Sequence, residues 1–274
     1  MTLRGVGKED GVVNRMGSLL KRIWASAPIW AWVVMIVCVV VLVVGLVVSG
    51  NRTSGVSSTA SSGTPSNAAP SSAAPTATPA TVAFMDSAKA APKTPKTIVL
   101  LGDATGADQQ GWAPTLGSAI SKALDRPVAT KYWNTSTEVY GPMTGLGEGA
   151  NGPIGYWNGS TAGKGPSYAQ QNLAKLIRPE VTPDLILLNY TATPDQSTPL
   201  AAQVQPLIDQ LTKKYPNAKI AVIKQSVDGA SSDPSAGYAA AMDAEGIQVI
   251  DVHGAFPSAD ATKAVLTAFG LSSQ

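Results

Sequence analysis

With 274 residues, 14% of them charged, and a formal net charge of +2, the chain has room for one or two domains and lacks the strong basic field that nucleic-acid binding requires. A single cysteine, Cys38, and a single histidine, His253, exclude a disulfide scaffold and a zinc centre built from Cys and His. Any histidine-dependent chemistry must therefore use His253.

Residues 1–28 form a short basic stretch, with Arg4, Lys8, Arg15, Lys21 and Arg22 against Glu9 and Asp10. Residues 29–48 are an uncharged, Val-dense run of 20 residues. At 1.5 Å per residue such a helix covers ~30 Å, the hydrocarbon thickness of a bilayer. Trp24, Trp30 and Trp32 gather at its N-terminal end, as interfacial anchors do. A cleaved signal peptide would have a shorter apolar region and a small-residue cleavage site, and Ser49-Gly50-Asn51-Arg52 is a poor one. The expectation is an uncleaved signal anchor in the cell membrane, its basic end cytoplasmic and the rest of the chain outside. Ala31, Cys38 and Gly45 recur every seven residues, a small-residue stripe that would suit a homodimer or a membrane-protein partner.

Residues 49–96 read as a linker. Between 53 and 82, 25 of 30 residues are Ser, Thr, Ala or Pro, a composition that buries no core. Residues 97–274 read as the folded domain, with 11 basic and 15 acidic residues. The positive charge of the chain thus belongs to its membrane end and forms no binding patch.

Apolar runs at 97–101, 128–133, 185–188, 220–223 and 247–252 read as strands. Helical spacing appears at 112–124, 168–177, 199–215, 236–244 and 262–269. Between 141 and 165 lie nine glycines, which predict an ordered loop over the sheet edge. The alternation implies a mostly parallel sheet with helices on both faces and a site beyond the C-terminal strand ends. Those ends are 102–106, 189–194, 225–229 and 253–256. Trp133, Tyr140, Tyr156 and Trp157 flank the glycine-rich stretch, as sugar-stacking rings or as loop anchors. Neither 145–149 nor 159–165 has the spacing of a nucleotide-binding glycine loop, so no cofactor is expected.

Three stretches in order resemble the SGNH (GDSL-type) hydrolase family: TIVLLGDAT at 97–105, WNGSTAGKGPSYAQQNLAKL at 157–176 and PDLILLNYTAT at 183–193. VIDVHGAF at 249–256 is similar to the strand before the family's terminal catalytic pair. The resemblance implies a three-layer, flavodoxin-like α/β domain and an esterase, lipase or O-acyl-transfer chemistry. Asp103 matches, but Ala104 stands at the nucleophile position, followed by Thr105. The second block carries Asn158 and, at the oxyanion glycine, Gly163. Thr191 and Thr193 replace the Gly and Asn of the third block. The nearest match to the terminal Asp-x-x-His is Asp260 to Lys263, and His253 lies in the preceding strand end. A methyl group cannot attack a carbonyl, so the resemblance implies a degenerate, non-catalytic member. It would bind a cell-envelope glycan or an acylated ligand. The alternatives are an esterase or acyltransferase with a rearranged site, and a structural partner of another membrane protein.

Overall fold

The computed structural model describes residues 77–191, 198–225, 235 and 237–272. The chain divides into two units, 1–71 and 72–274, and every described residue lies in the second. The expected span at 29–48 lies outside the described residues. Among those described, no helix is long and apolar enough to cross a membrane.

The domain is mixed α/β. Its strands are β1 (Lys96–Gly102), β2 (Val128–Asn134), β3 (Val139–Tyr140), β4 (Thr144–Gly147), β5 (Ile154–Asn158), β6 (Leu185–Asn189), β7 (Lys219–Lys224) and β8 (Gln248–Asp251). Its helices are α1 (Ala80–Ala90), α2 (Ala104–Ala107), α3 (Trp112–Leu124), α4 (Pro166–Gln171), α5 (Leu173–Leu176), α6 (Leu200–Lys214), α7 (Tyr238–Ala244) and α8 (Ala259–Ala268). The sheet order is β3-β2-β5-β1-β6-β7-β8, with β4 also on β2. Among the described strands only β3 and β4 run antiparallel to their neighbour.

The central strands are apolar without alternation because both faces are covered. In β1, Ile98 and Leu100 face one core while Val99 and Leu101 face the other. The first core is closed by α1, α3 and α8, the second by α4, α5, α6 and α7. In α3, Leu116, Ile120 and Leu124 recur at a spacing of four and are buried. The helix stops at Asp125 in the left-handed conformation (φ 50°).

Four features depart from the sequence expectations. The linker does not reach residue 96, because α1 lies inside it and buries Thr81, Phe84, Met85 and Ala88. A short apolar face set among Ala, Thr and Pro is diluted in any composition window. The glycine-rich stretch is not a loop throughout, for it contains β4 and β5. Gly155 fits a strand, and Gly149 is needed because a Cβ there would stand 2.2 Å from the backbone of Asp125 and Arg126. Third, β5 is hydrogen-bonded to both β1 and β2, so these two are not neighbours. The order therefore departs from the flavodoxin-like 2-1-3-4-5 arrangement, which sets them side by side. Finally, the helix expected at 168–177 is two short helices. The Asn172 side chain donates to Tyr168 O (3.0 Å) at the break, offering the backbone a local partner in competition with the helix.

Arg126 is fully buried just before β2 and makes no ion pair among the described residues. Its guanidinium donates to Ala88 O (2.9 Å), Ala91 O and Thr94 O (2.9 Å), at the end of α1 and in the turn into β1. Desolvation pulls its pKa below the ordinary arginine value, opposed by the charge of Asp184.

Candidate functional site

At its C-terminal end β1 runs through Gly102 into Asp103, which caps α2. Gly102 passes so close to β6 that a Cβ would lie 2.5 Å from Asn189 O. Among the described residues the Asp103 carboxylate accepts five hydrogen bonds, one of them a long contact from Asn189 Nδ2 to Oδ1 (3.5 Å). Oδ1 takes Thr105 N (2.9 Å) and Thr105 Oγ1 (2.8 Å), and Oδ2 takes Thr191 N (2.8 Å) and Thr191 Oγ1 (2.6 Å). Asp103 thus ties the end of β1 to the segment leaving β6.

The hydroxyl of Thr105 is equally committed. Having donated to Asp103, it accepts from Asn189 Nδ2 (2.8 Å) and Gln225 Nε2 (3.2 Å). Gln225 also donates to Asn189 Oδ1 (3.0 Å), and its Oε1 accepts from Phe256 N (3.3 Å). Asn189 and Gln225 are fully buried. This network joins the ends of β1, β6 and β7 to the loop after β8. Neither amide was singled out from sequence as a site residue, although both stand at strand ends that the topology rule marks.

Ala104, in the first turn of α2, is exposed and borders a cavity of about 420 Å³. Thr105, Asp108, Trp112, Phe256 and Thr262 also line it. The Trp112 and Phe256 rings stack with centroids 5.1 Å apart and an interplanar angle of 17°. Ser258, another lining residue, accepts Ala261 N (3.0 Å) as the N-cap of α8. Among the described residues no Lys, Arg, His or Cys lines the cavity.

The other sequence candidates are dispersed. Asn158 is buried and structural, its Nδ2 donating to Gly106 O (2.7 Å) and its Oδ1 accepting Ser160 N (3.0 Å). Gly163 sits exposed in the loop after β5 with φ +69°, away from the cavity lining. Thr193 lies outside the described residues. Asp260 and Lys263 are exposed on α8. Lys263 lines an adjoining groove, of about 780 Å³ between α3 and α8, which shares Thr115, Ala259 and Thr262 with the cavity; neither Asp260 nor Lys263 lines the cavity beside Ala104. Residues 256–259 and Thr262 border the cavity in its place.

His253 is also away from it. Its side chain is 84% exposed, it adopts φ 50°, and its Nδ1 lies 3.5 Å from Asp251 Oδ1. Partial burial raises the Asp251 carboxyl, but hydrogen bonds from Lys224 Nζ (2.9 Å) and His253 N, with the charges of both residues, outweigh it and leave the pKa below the ordinary value. The aromatic candidates do not form a platform. Tyr156 is buried in the first core and Trp133 in the second. Tyr140 and Trp157 meet edge to face with centroids 4.8 Å apart.

No protein-family model matches this chain, and no curated protein does so significantly. Among solved structures it is similar to a two-domain esterase (CEX) active on acetylated mannans, at 12% identity and a TM-score of 0.43. The same kind of esterase co-crystallised with mannopentaose gives 11% and 0.45. A candidate GDSL-like lipase from Bacteroides uniformis gives 15% and 0.36, over 92% of that chain. Each match covers 63% of the present chain. The matched region spans 40% of the length of the first esterase and 41% of the second.

Proposed function

We propose that this is an SGNH-hydrolase-like domain that holds a ligand at the edge formed by β1, β6 and β7 without hydrolysing it. The observation that carries this reading is the pairing of Ala104 with a fully committed Thr105. Ala104 has no nucleophilic atom. The Thr105 oxygen has given its proton to Asp103 and both lone pairs to Asn189 and Gln225, so no electron pair is left for a carbonyl. The cavity between Ala104 and the Trp112–Phe256 stack falls in the size range of small-ligand sites. Its ligand in this reading is a cell-envelope glycan or an acylated molecule.

Purified protein should give no turnover of p-nitrophenyl acetate above buffer. Loss of the nucleophile alone costs a triad enzyme ~10⁶ in turnover. Restoring Ala104→Ser should recover less than about 1% of such activity, because no base returns with it. Adding Lys263→His should change nothing, since that side chain belongs to the groove between α3 and α8. Turnover by the unmodified protein that disappears in Thr105→Val would refute the reading and point to a rearranged esterase.

The same proposal places the domain outside the membrane, anchored by residues 29–48. Ser62→Cys should react with impermeant thiol reagents on intact cells; reaction only after lysis would reverse the topology.

A further inference from the structure

The cavity beside Ala104 is biased toward one kind of ligand. Three threonine hydroxyls line it, and each has donated its proton inside the protein. Thr105 Oγ1 donates to Asp103, Thr115 Oγ1 to Gly111 O (3.0 Å) and Thr262 Oγ1 to Ser258 O (3.1 Å). The oxygens of Thr115 and Thr262 are left with lone pairs to offer and no proton. Asp108 adds a carboxylate, an acceptor only, whose Oδ1 takes Gln110 N (2.9 Å) and which has no cationic partner among the described residues. Among the described residues it is the one ionisable side chain in the lining.

Three features oppose a cation. The side chains of Gln110 and Ser258 keep an amide and a hydroxyl donor in the lining. The N-termini of α3 and α8 open at Gly111 and Ser258, and each carries roughly half a positive charge. The α8 terminus is capped by the Ser258 hydroxyl, and Asp108 sets a full negative charge three residues before Gly111. Trp112 is only 3% exposed and offers little face for a cation–π contact, so the bias is toward hydrogen-bond donation over stacking.

We propose that this cavity recognises a primary ammonium group, with Asp108 as its counter-charge and the oxygens of Thr115 and Thr262 as further acceptors. The inference rests on reading the cavity as a ligand site and names the chemical class that the site selects. On the glycan side, the class is an amino sugar whose amine is free.

The test is calorimetric titration of the full chain in detergent with glucosamine, N-acetylglucosamine, glucose and n-butylamine. Glucosamine should bind at least tenfold more tightly than N-acetylglucosamine, a preference of about 1.4 kcal/mol, and n-butylamine should compete with it. Asp108→Asn retains the acceptor for Gln110 N and should leave the melting temperature unchanged while removing that preference. Thr262→Val should weaken glucosamine about tenfold, the loss of one charge-assisted hydrogen bond. Equal affinity for the two amino sugars, or a preference that survives Asp108→Asn, overturns amine recognition and leaves the ligand-site reading standing. If no amine binds, the inference falls; if the neutral sugars do not bind either, the ligand-site reading loses its support as well.

Discussion

A chain beginning at Thr97 is expected not to fold, whereas one beginning at Ala77 is expected to melt cooperatively. The difference is α1. Phe84, Met85 and Ala88 are almost fully buried against the face that also holds Leu185, Leu187, Ala221 and Phe269. Exposing a Phe or Met side chain costs about 1.5–3 kcal/mol each, and the apolar sheet face beneath would be exposed with them. Thr81 joins the helix to two distant elements through Ala268 O and Gln248 Oε1. The shorter chain also lacks Lys96, which pairs with Asp184 at 3.0 Å and starts the β1–β5 ladder. Together these losses approach the whole stability of a typical domain, ~5–15 kcal/mol. Circular dichroism and thermal melting of the two chains decide the matter; equal melting temperatures would show that α1 is dispensable.

Arg126→Ala is the second change of large effect, and we expect a loss of about 4 kcal/mol or more in chemical denaturation. Three carbonyls would lose their donor in a place water reaches poorly, and a void the size of the side chain would remain. The guanidinium also lies at the negative end of α1, where a cation is favoured. Arg126→Lys should fall between, because a single ammonium cannot reproduce the planar fork that reaches three oxygens. A Lys variant as stable as the parent would show that charge alone matters at this position. A stable Ala variant would show that α1 is held by its apolar face without the clamp.

Much of the architecture was legible in the residues. The continuous apolar runs of β1 and β6 and the four-residue spacing of α3 are local patterns, and local patterns report the faces that an element must bury. The resulting alternation of strand and helix gave the parallel sheet, and with it the edge where Asp103, Asn189, Gln225 and Phe256 converge. Ala104 was readable for the same reason, since the absence of a hydroxyl is a property of the residue itself.

Other features were settled only by folding. β5 reads as a glycine-rich loop because its neighbours on both sides, β1 and β2, satisfy its backbone from far along the chain, and sequence spacing carries no trace of that pairing. α1 was hidden because four buried residues are lost in an Ala-, Thr- and Pro-rich background. Lys263 matched a motif by distance along the chain, yet α8 sets it in the groove beside α3 alone, while Thr262, one residue earlier, borders both that groove and the cavity. On a helix one residue is a rotation of about 100°, so a one-position difference in register decides which side chain faces Ala104. Sequence determined which chemistry Ala104 lacks; the packing of α3 and α8 around it decided which side chains, Asp108 and Thr262 among them, line the space beside it.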